Sequence, residues 1–393
     1  MAIKAIDLFS GCGGVSCGLT NAGFKVKAAV EIDAEAARIY SAYPPLSHVN
    51  VLVKDICTIT GKKLLRRAGI RLDELYLLAG CPPCQNFSMQ NPNNKKKDEK
   101  ERKKLLFEFL RLIQEMYPPF ILMENVPGIT TEFNSGILNE FVDKLEDKSK
   151  EKGKRYIVRK GVLNAADYGV PQFRKRFVLH GVRADIFEEL ESYGADFQLP
   201  APTHSNKADS GLLPWVTVRK AIGDLPAIHA GENYTGPIAV LNHKCANLST
   251  KNLDKMRYIR THGGSRECLP EEMTLDCHKK VGDDGKKYSG HKDVYGIMDA
   301  DKPSPTMTGG CLFYTKGRYG HYSQDRAISI REAARFQTFP DDFAFSDSLA
   351  TAALQIGNAV PVKLVEASAQ EFMKAIKILK VNRRKKAREE AQT

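Results

Sequence analysis

The stretch Leu75-Tyr76-Leu77-Leu78-Ala79-Gly80-Cys81-Pro82-Pro83-Cys84-Gln85-Asn86-Phe87-Ser88 decides how this 393-residue chain is read. Its first residues form a short apolar run with the character of a buried strand. Pro82 and Pro83 cannot continue a strand ladder and they stiffen the backbone, so Cys84 stands at a rigid turn. An open α/β sheet carries its chemistry at the C-terminal ends of its strands, which makes a thiol there a candidate nucleophile. Taken alone, Cys81 and Cys84 fit a Cys-x-x-Cys redox pair or half a zinc site equally well.

The pattern on either side favours the sheet. Further strand candidates are Ala5–Phe9, Val26–Glu31, Val49–Lys54, Phe120–Asn125, Tyr156–Leu163 and Phe177–Val182, with Leu75–Ala79 among them. Between them Leu105, Phe109, Leu112, Ile113 and Met116 recur at helical spacing, as do Ile137, Leu138, Phe141, Val142 and Leu145. Strands alternating with helices imply an α/β, doubly wound, mostly parallel sheet covered on both faces. After about residue 185 the chain becomes loop-rich, as in Pro200-Ala201-Pro202-Thr203-His204-Ser205-Asn206. The expected organisation is a catalytic and cofactor-binding domain over 1–185, a smaller irregular domain over 186–325, and a segment over 326–393 that completes the first domain.

Composition narrows the classes. Apolar residues make up 42% and charged residues 27%, ordinary for a soluble globular protein. No apolar run approaches the roughly 20 residues that span a bilayer, and Met1–Asp7 enters a strand pattern at once rather than a signal peptide. Nine scattered cysteines do not form a disulfide framework, so a reducing, cytoplasmic setting is expected. Lys and Arg number 59 against 47 for Asp and Glu, and the resulting +12 favours a polyanionic partner. The runs Lys95-Lys96-Lys97 and Arg383-Arg384-Lys385-Lys386 are locally basic; such runs are commonly just solvated.

Two groups of residues carry candidate chemistry. After the first strand, Asp7-Leu8-Phe9-Ser10-Gly11-Cys12-Gly13-Gly14 places glycines where backbone can approach a ligand and turn into a helix. The second strand ends in Glu31-Ile32-Asp33, suited to ribose hydroxyls, and the third in Asp55-Ile56, suited to an adenine amino group. This order points to a nucleoside cofactor without separating a dinucleotide from S-adenosylmethionine. At the reactive end, Glu124-Asn125-Val126 follows the apolar strand Phe120–Met123, so a carboxyl and the Cys84 thiol converge. Gln172, Arg174 and Arg176 alternate with period two, which turns three long polar side chains to one side of an extended segment.

These blocks resemble the cytosine-5 DNA methyltransferases, the bacterial members in particular. The resemblance rests on Asp7–Gly14, Pro83-Cys84-Gln85, Glu124-Asn125-Val126, Gln172-x-Arg174-x-Arg176, Arg331-Glu332-Ala333-Ala334-Arg335-Phe336-Gln337 and Gly357-Asn358-Ala359-Val360-Pro361, in the family's order over nearly the whole chain. It implies a class I methyltransferase, Rossmann-like fold, with the irregular region as target-recognition domain. It further implies S-adenosylmethionine as cofactor, held by Phe9, Gly11, Gly13, Glu31, Ile32, Asp55, Ile56 and Asn358. Cys84 would attack carbon 6 of a flipped-out cytosine, Glu124 would act at ring nitrogen 3 and the exocyclic amine, and Arg174 with Arg176 would hold the base oxygen and organise the Glu. Lys95–Lys97 would lie on a loop that closes on DNA, and Arg257, Arg260 and Arg266 are among the candidates for reading base edges. Double-stranded DNA is the expected partner of a monomer that needs no metal, with a cognate restriction endonuclease as a possible companion. The same chemistry on transfer RNA, and a non-catalytic sequence-specific DNA-binding protein, are the alternatives.

Overall fold

The computed structural model describes residues 2–83, 99–207, 211–279 and 293–392. The chain divides into two units. The first takes Met1–Asn164, Lys175–Pro202 and Val362–Thr393; the second takes Ala165–Arg174 and Thr203–Pro361.

The first unit is built on a seven-stranded sheet of β1 (Lys4–Leu8), β2 (Lys25–Glu31), β3 (Asn50–Val53), β4 (Leu75–Gly80), β5 (Phe120–Asn125), β6 (Tyr156–Asn164) and β7 (Lys175–Arg183), in the order β3-β2-β1-β4-β5-β7-β6. Each strand expected from sequence is present. β1 to β5 are mutually parallel, whereas β7 lies antiparallel to both β5 and β6. Ile6, Leu8, Ala28, Val30, Leu75, Leu78 and Ile121 are almost wholly buried. A sheet covered on both faces needs continuous apolar strands rather than alternating ones, which is why these runs were readable.

The covering helices in order are α1 (Gly14–Asn21), α2 (Ala34–Ala42), α3 (Gly61–Ala68), α4 (Glu99–Met116), α5 (Glu132–Glu146) and α6 (Ala184–Ser192), with a long C-terminal helix, Val362–Glu390. Their starts follow from local chemistry. Asp33 caps α2 by accepting from the Glu35 and Ala36 amides, and Thr60 caps α3, which ends at left-handed Gly69. α4 buries Leu106, Phe109, Leu112, Ile113 and Met116 against the sheet. The parallel strands deliver the ends at Leu8, Glu31, Gly80 and Asn125 to one edge, and β7 starts from that same edge.

The second unit has short helices, Val218–Ile222, Thr250–Thr261, Ile330–Phe336 and Leu349–Asn358, linked by irregular chain. Buried charge holds much of it. Arg326 makes a two-pronged pair with Glu332 at 2.6 and 2.8 Å, both side chains almost fully buried. Glu332 also accepts from the Ser329 amide while Ser329 accepts from the Glu332 amide, closing a capping box on Ile330–Phe336. Arg331 donates to the carbonyls of Leu241, Pro340 and Phe343. These contacts place 326–361 in the second unit, whereas the expected division returned that stretch to the first domain; 186–202, expected in the irregular domain, belong to the first unit with α6. Among the described residues no helix is long and apolar enough to cross a membrane.

Acid should loosen the second unit. Pairing with Arg326 and His321 brings the Glu332 carboxyl down to about 2 despite its burial, and burial brings His321 down to about 4. Both groups bind protons more readily when unfolded, so their stabilisation is present above pH 6.5. It is lost as pH falls through the 6.5-to-4 window of His321 and then the 4.5-to-2 window of Glu332. Glu332→Gln leaves Arg326 charged and buried without its partner and should cost about 3–5 kcal/mol, with most of the acid sensitivity below pH 4.5 gone. Thermal melts from pH 7 to pH 2 check both.

Candidate active site

At the end of β1 the chain turns through Phe9 at φ 59°, Gly11 at φ 52° and Gly13 at φ 103°. Gly13 supplies the left-handed entry to α1, which has no side-chain cap. Phe9 is the strained member, because a bulky L-residue rarely adopts that backbone. Glu31, from the adjacent strand β2, holds this loop. Its Oε2 accepts the Gly11 amide at 2.7 Å, while Oε1 accepts the Ile32 and Asp33 amides, each at 2.9 Å. The carboxylate is therefore anchored by three backbone N–H groups, and lone pairs remain on its oxygens. Beside it the Ile32 side chain is 69% exposed, an apolar face at a strand end. Asp55 accepts from the Cys57 amide, which holds its carboxyl below the usual carboxylate range and keeps it ionised. Ile56 differs from an exposed contact residue: its side chain lies in the core.

Beneath the loop lies a group that sequence reading passed over. Asp7 is fully buried; its Oδ2 accepts from Ser16 Oγ at 2.7 Å, and that oxygen accepts from Tyr40 Oη, also at 2.7 Å. The relay ties β1 to α1 and α2. Asp7 Oδ1 and Ser10 Oγ have no hydrogen-bond partner among the described residues. Burial, aided by the nearby Glu31 charge, raises the Asp7 carboxyl to about 7. The available signal was a carboxylate inside an otherwise apolar strand.

The reactive end is held by β4, β5 and β7. Cys84 and the loop bearing Lys95–Lys97 lie outside the described residues. The approach to Cys84 is nonetheless fixed: the Cys81 amide donates to the Leu8 carbonyl, and the buried Asn125 donates Nδ2 to the Pro82 carbonyl at 3.1 Å. Asn125 Oδ1 in turn accepts the Val126 amide. Asn125 thus pins the turn before the thiol to the end of β5, a role that reading the block for its Glu alone had missed. Antiparallel pairing then sets Glu124 opposite Val178 on β7. Arg176, at the start of that strand, reaches Glu124 through Nε–Oε1 at 2.8 Å, and each side chain keeps 12% exposure. Sequence reading brought these two together, and so does the structure.

Arg174 is placed differently. It belongs to the second unit, is 1% exposed, and donates Nη1 to the Met307 carbonyl and Nη2 to those of Gly357 and Ala359. Gln337 donates to the Ile356 and Ala359 carbonyls, and Gln172 donates to Gln337 and the Phe336 carbonyl. The exposed Asn358 therefore ends the helix Leu349–Asn358 where the backbone on both sides of it is clamped. Gly357 backs directly onto the Thr308–Gly309 backbone, where any Cβ would collide. Arg260 is likewise committed inside the unit, to the carbonyls of His321, Tyr322 and Gln324 and to Asp325, while Arg257 stays exposed beside Asp325. Arg266 is half-buried.

The family model for C-5 cytosine-specific DNA methylases matches residues 3–374. The Type II methylase M.HgiDII of Herpetosiphon aurantiacus is 36% identical over 369 residues, 93% of each chain. The Type II methyltransferase M1.HphI of Haemophilus parahaemolyticus is 35% identical, covering 95% of this chain and 87% of its own. Among solved structures, the Dnmt2 methyltransferase of S. pombe superposes with a TM-score of 0.57 at 16% identity, over 97% of this chain and all of that one, a likeness of fold.

Asp7→Asn keeps the acceptor for Ser16 and removes the buried acid. The folded-state pKa is raised, so the acid form fits the fold and stability is lost as pH rises from 3.8 through about 7. Relative to the unsubstituted chain, the variant should gain about 2–3 kcal/mol between pH 5 and pH 8, read from denaturant unfolding at the two pH values.

Proposed function

The chain belongs to the C-5 cytosine-specific DNA methylase family, and from that premise we propose that it methylates carbon 5 of one cytosine within a short, specific duplex DNA sequence, using S-adenosylmethionine. The Glu124–Arg176 pair beside the Pro82 turn is the observation that carries the reading. Carbon 5 of cytosine is a poor nucleophile. Addition of the Cys84 thiolate to carbon 6 makes carbon 5 enamine-like, dividing one hard step into easier ones. Glu124 in its acid form gives its proton to ring nitrogen 3 as the sulfur adds, accepts from the exocyclic amine, and takes the proton back when the sulfur leaves, while Arg176 keeps that carboxyl in place beside the base oxygen. Once carbon 5 has gained the methyl group, loss of its proton to a base and departure of the Cys84 sulfur restore the aromatic ring. The target atom is inaccessible in a stacked duplex, so the base must swing out.

The cofactor supplies a methyl group made electrophilic by a positively charged sulfur. The residues at the β1, β2 and β3 ends fit such a group: Glu31 has lone pairs for ribose hydroxyls, exposed Ile32 offers an apolar face for adenine, and ionised Asp55 accepts from its amino group. Gly11, with open space where a Cβ would stand, leaves room for close approach, Gly13 lets α1 begin tight against Tyr40 and Leu46, and Phe9 closes the loop. For Ile56, whose side chain is buried, the backbone is the part offered. The resemblance adds Asn358. Arg174 we assign as a positioning residue for the helix end that carries Asn358, rather than a holder of the base. Target reading falls to the second unit, and exposed Arg257 suits it better than Arg260. Monomeric action in the cytoplasm and pairing with a restriction endonuclease complete the proposal.

Bisulfite sequencing of DNA from a host expressing the chain should show 5-methylcytosine at one short sequence; methylation confined to RNA would replace DNA with the runner-up substrate. Cys84→Ala should abolish transfer while cofactor and DNA still bind, and retained turnover would remove Cys84 from the chemistry. Arg176→Ala should lower kcat by about 10²–10³-fold, with a much smaller change in cofactor affinity measured by calorimetry.

A further inference from the structure

The C-terminal helix changes character along its length. Val365, Ala369, Phe372, Ile376 and Leu379 form its buried stripe. Beyond Leu379 the helix continues to Glu390, and from Arg383 onward every residue is exposed. Lys380, Arg383, Arg384, Lys385, Lys386 and Arg388 fall in this stretch, opposed only by Glu389 and Glu390. Lys377, Lys380, Arg384 and Arg388 stand at i, i+3, i+7 and i+11, so they line one face of the helix.

The body of the first unit engages two of these cations. Arg383 reaches Glu189 of α6 at 2.7 Å, and Lys380 lies 5.0 Å over the Tyr76 ring. Lys386 is 4.0 Å from Glu390. Among the described residues Arg384, Lys385 and Arg388 have no acidic partner. Partial burial and the Arg384 charge press Lys380 toward its neutral form, so the like charges of the stripe oppose one another. An anion laid along this face would relieve that repulsion.

The place of the stripe excludes the active end. Val365 packs against α1 at Gly18, Phe372 stacks edge-on to Phe120, the first residue of β5, and Lys380 covers Tyr76, the second residue of β4. The helix therefore runs toward the N-terminal ends of the strands, away from Glu31 and Glu124, and then on for ten residues, about 15 Å at helical rise. From the level of Tyr76 to that of Glu124 is five strand residues, about 16 Å, which puts the tip about 30 Å from Glu124.

We propose that this basic stripe is a second docking surface, for duplex DNA other than the stretch whose base is being methylated. Charge complementarity commits it to DNA: the substrate class is a polyanion with one charge per about 1.7 Å, and a row of exposed cations on a rigid helix gains affinity by releasing its counterions. A contact without base edges carries no sequence information. It holds the enzyme on long DNA between sites.

The test uses the full chain with Arg384, Lys385, Lys386 and Arg388 each changed to Gln, a good helix former at exposed positions. On long duplex lacking the target sequence, the slope of log affinity against log salt should become shallower by about 3. Plasmid methylation at low enzyme should slow by about tenfold at 0.1 M salt. On a short duplex bearing one target site, kcat and KM should stay within about twofold. Arg384→Glu alone should weaken long-DNA binding further than Arg384→Gln. An unchanged salt slope overturns the proposal, including the case where the substituted chain instead loses binding to polyglutamate, which would make the stripe a site for acidic protein. Equal losses on the short and the long duplex overturn it too, since the stripe would then serve the active end.

Discussion

Strand direction is the constraint on which the rest of the first unit depends. Five parallel strands end at one edge, so Phe9, Glu31, Asp55 and the turn before Cys84 arrive there without any long excursion of chain. β7 runs the other way, and only an antiparallel neighbour of β5 can begin where β5 finishes. That reversal turns a start-of-strand Arg176 into the partner of an end-of-strand Glu124. A seventh strand parallel to β5 would have left Arg176 at the opposite edge. The ion pair thus follows from topology, and side-chain chemistry needs only to place a Glu near the end of β5 and an Arg just before β7 joins it.

In the second unit, polar side chains replace most of the regular backbone pairing. A loop-rich chain buries carbonyl groups that no ladder satisfies, and each would be costly left unpaired. Arg174, Arg260 and Arg331 meet this need with forked guanidinium groups that each serve three or more acceptors, most of them carbonyls. Lysine could not, because a single ammonium lacks the fixed fork. The Arg331–Gln337 block is therefore a folding block: Glu332 neutralises Arg326, Arg335 bridges Asp224 and Asp341, and Gln337 clamps the helix end at Asn358.

These two halves differ in how far they could be read from sequence. Strands covered on both faces announce themselves as apolar runs, and the central strands were legible for that reason, whereas β3 and β6 at the two ends of the sheet are only partly buried. Glu124 was legible because it directly follows such a run. Arg174 was not, since period-two alternation tells which side of a strand a residue faces and nothing of what lies there. Gln172 and Arg174 do share a buried environment, but its acceptors come from residues more than 130 positions away. Arg260 was equally opaque: an exposed cation and a half-buried one that holds carbonyls look alike in sequence. Asn125 and Asp7 were hidden by their neighbours, each a polar residue inside a block whose apparent meaning was already taken.

Phe9 shows how backbone strain at a strand end is sustained. A bulky residue in the left-handed region costs about 1–2 kcal/mol, so the loop would relax unless something opposed it. Glu31 supplies the opposition. Three amide-to-carboxylate hydrogen bonds fix the strand end and the loop to one another, and bonds to a charged acceptor contribute about 1.5 kcal/mol or more each. Below the loop, Tyr40 and Ser16 tie α2 and α1 to Asp7, which prevents the strand end from sinking away. The strained turn is thus held from above by a carboxylate and from below by a buried relay. Glu31 accepts three N–H groups near solvent, whereas burial raises the Asp7 carboxyl to about 7, so the two acids of neighbouring strands meet opposite environments.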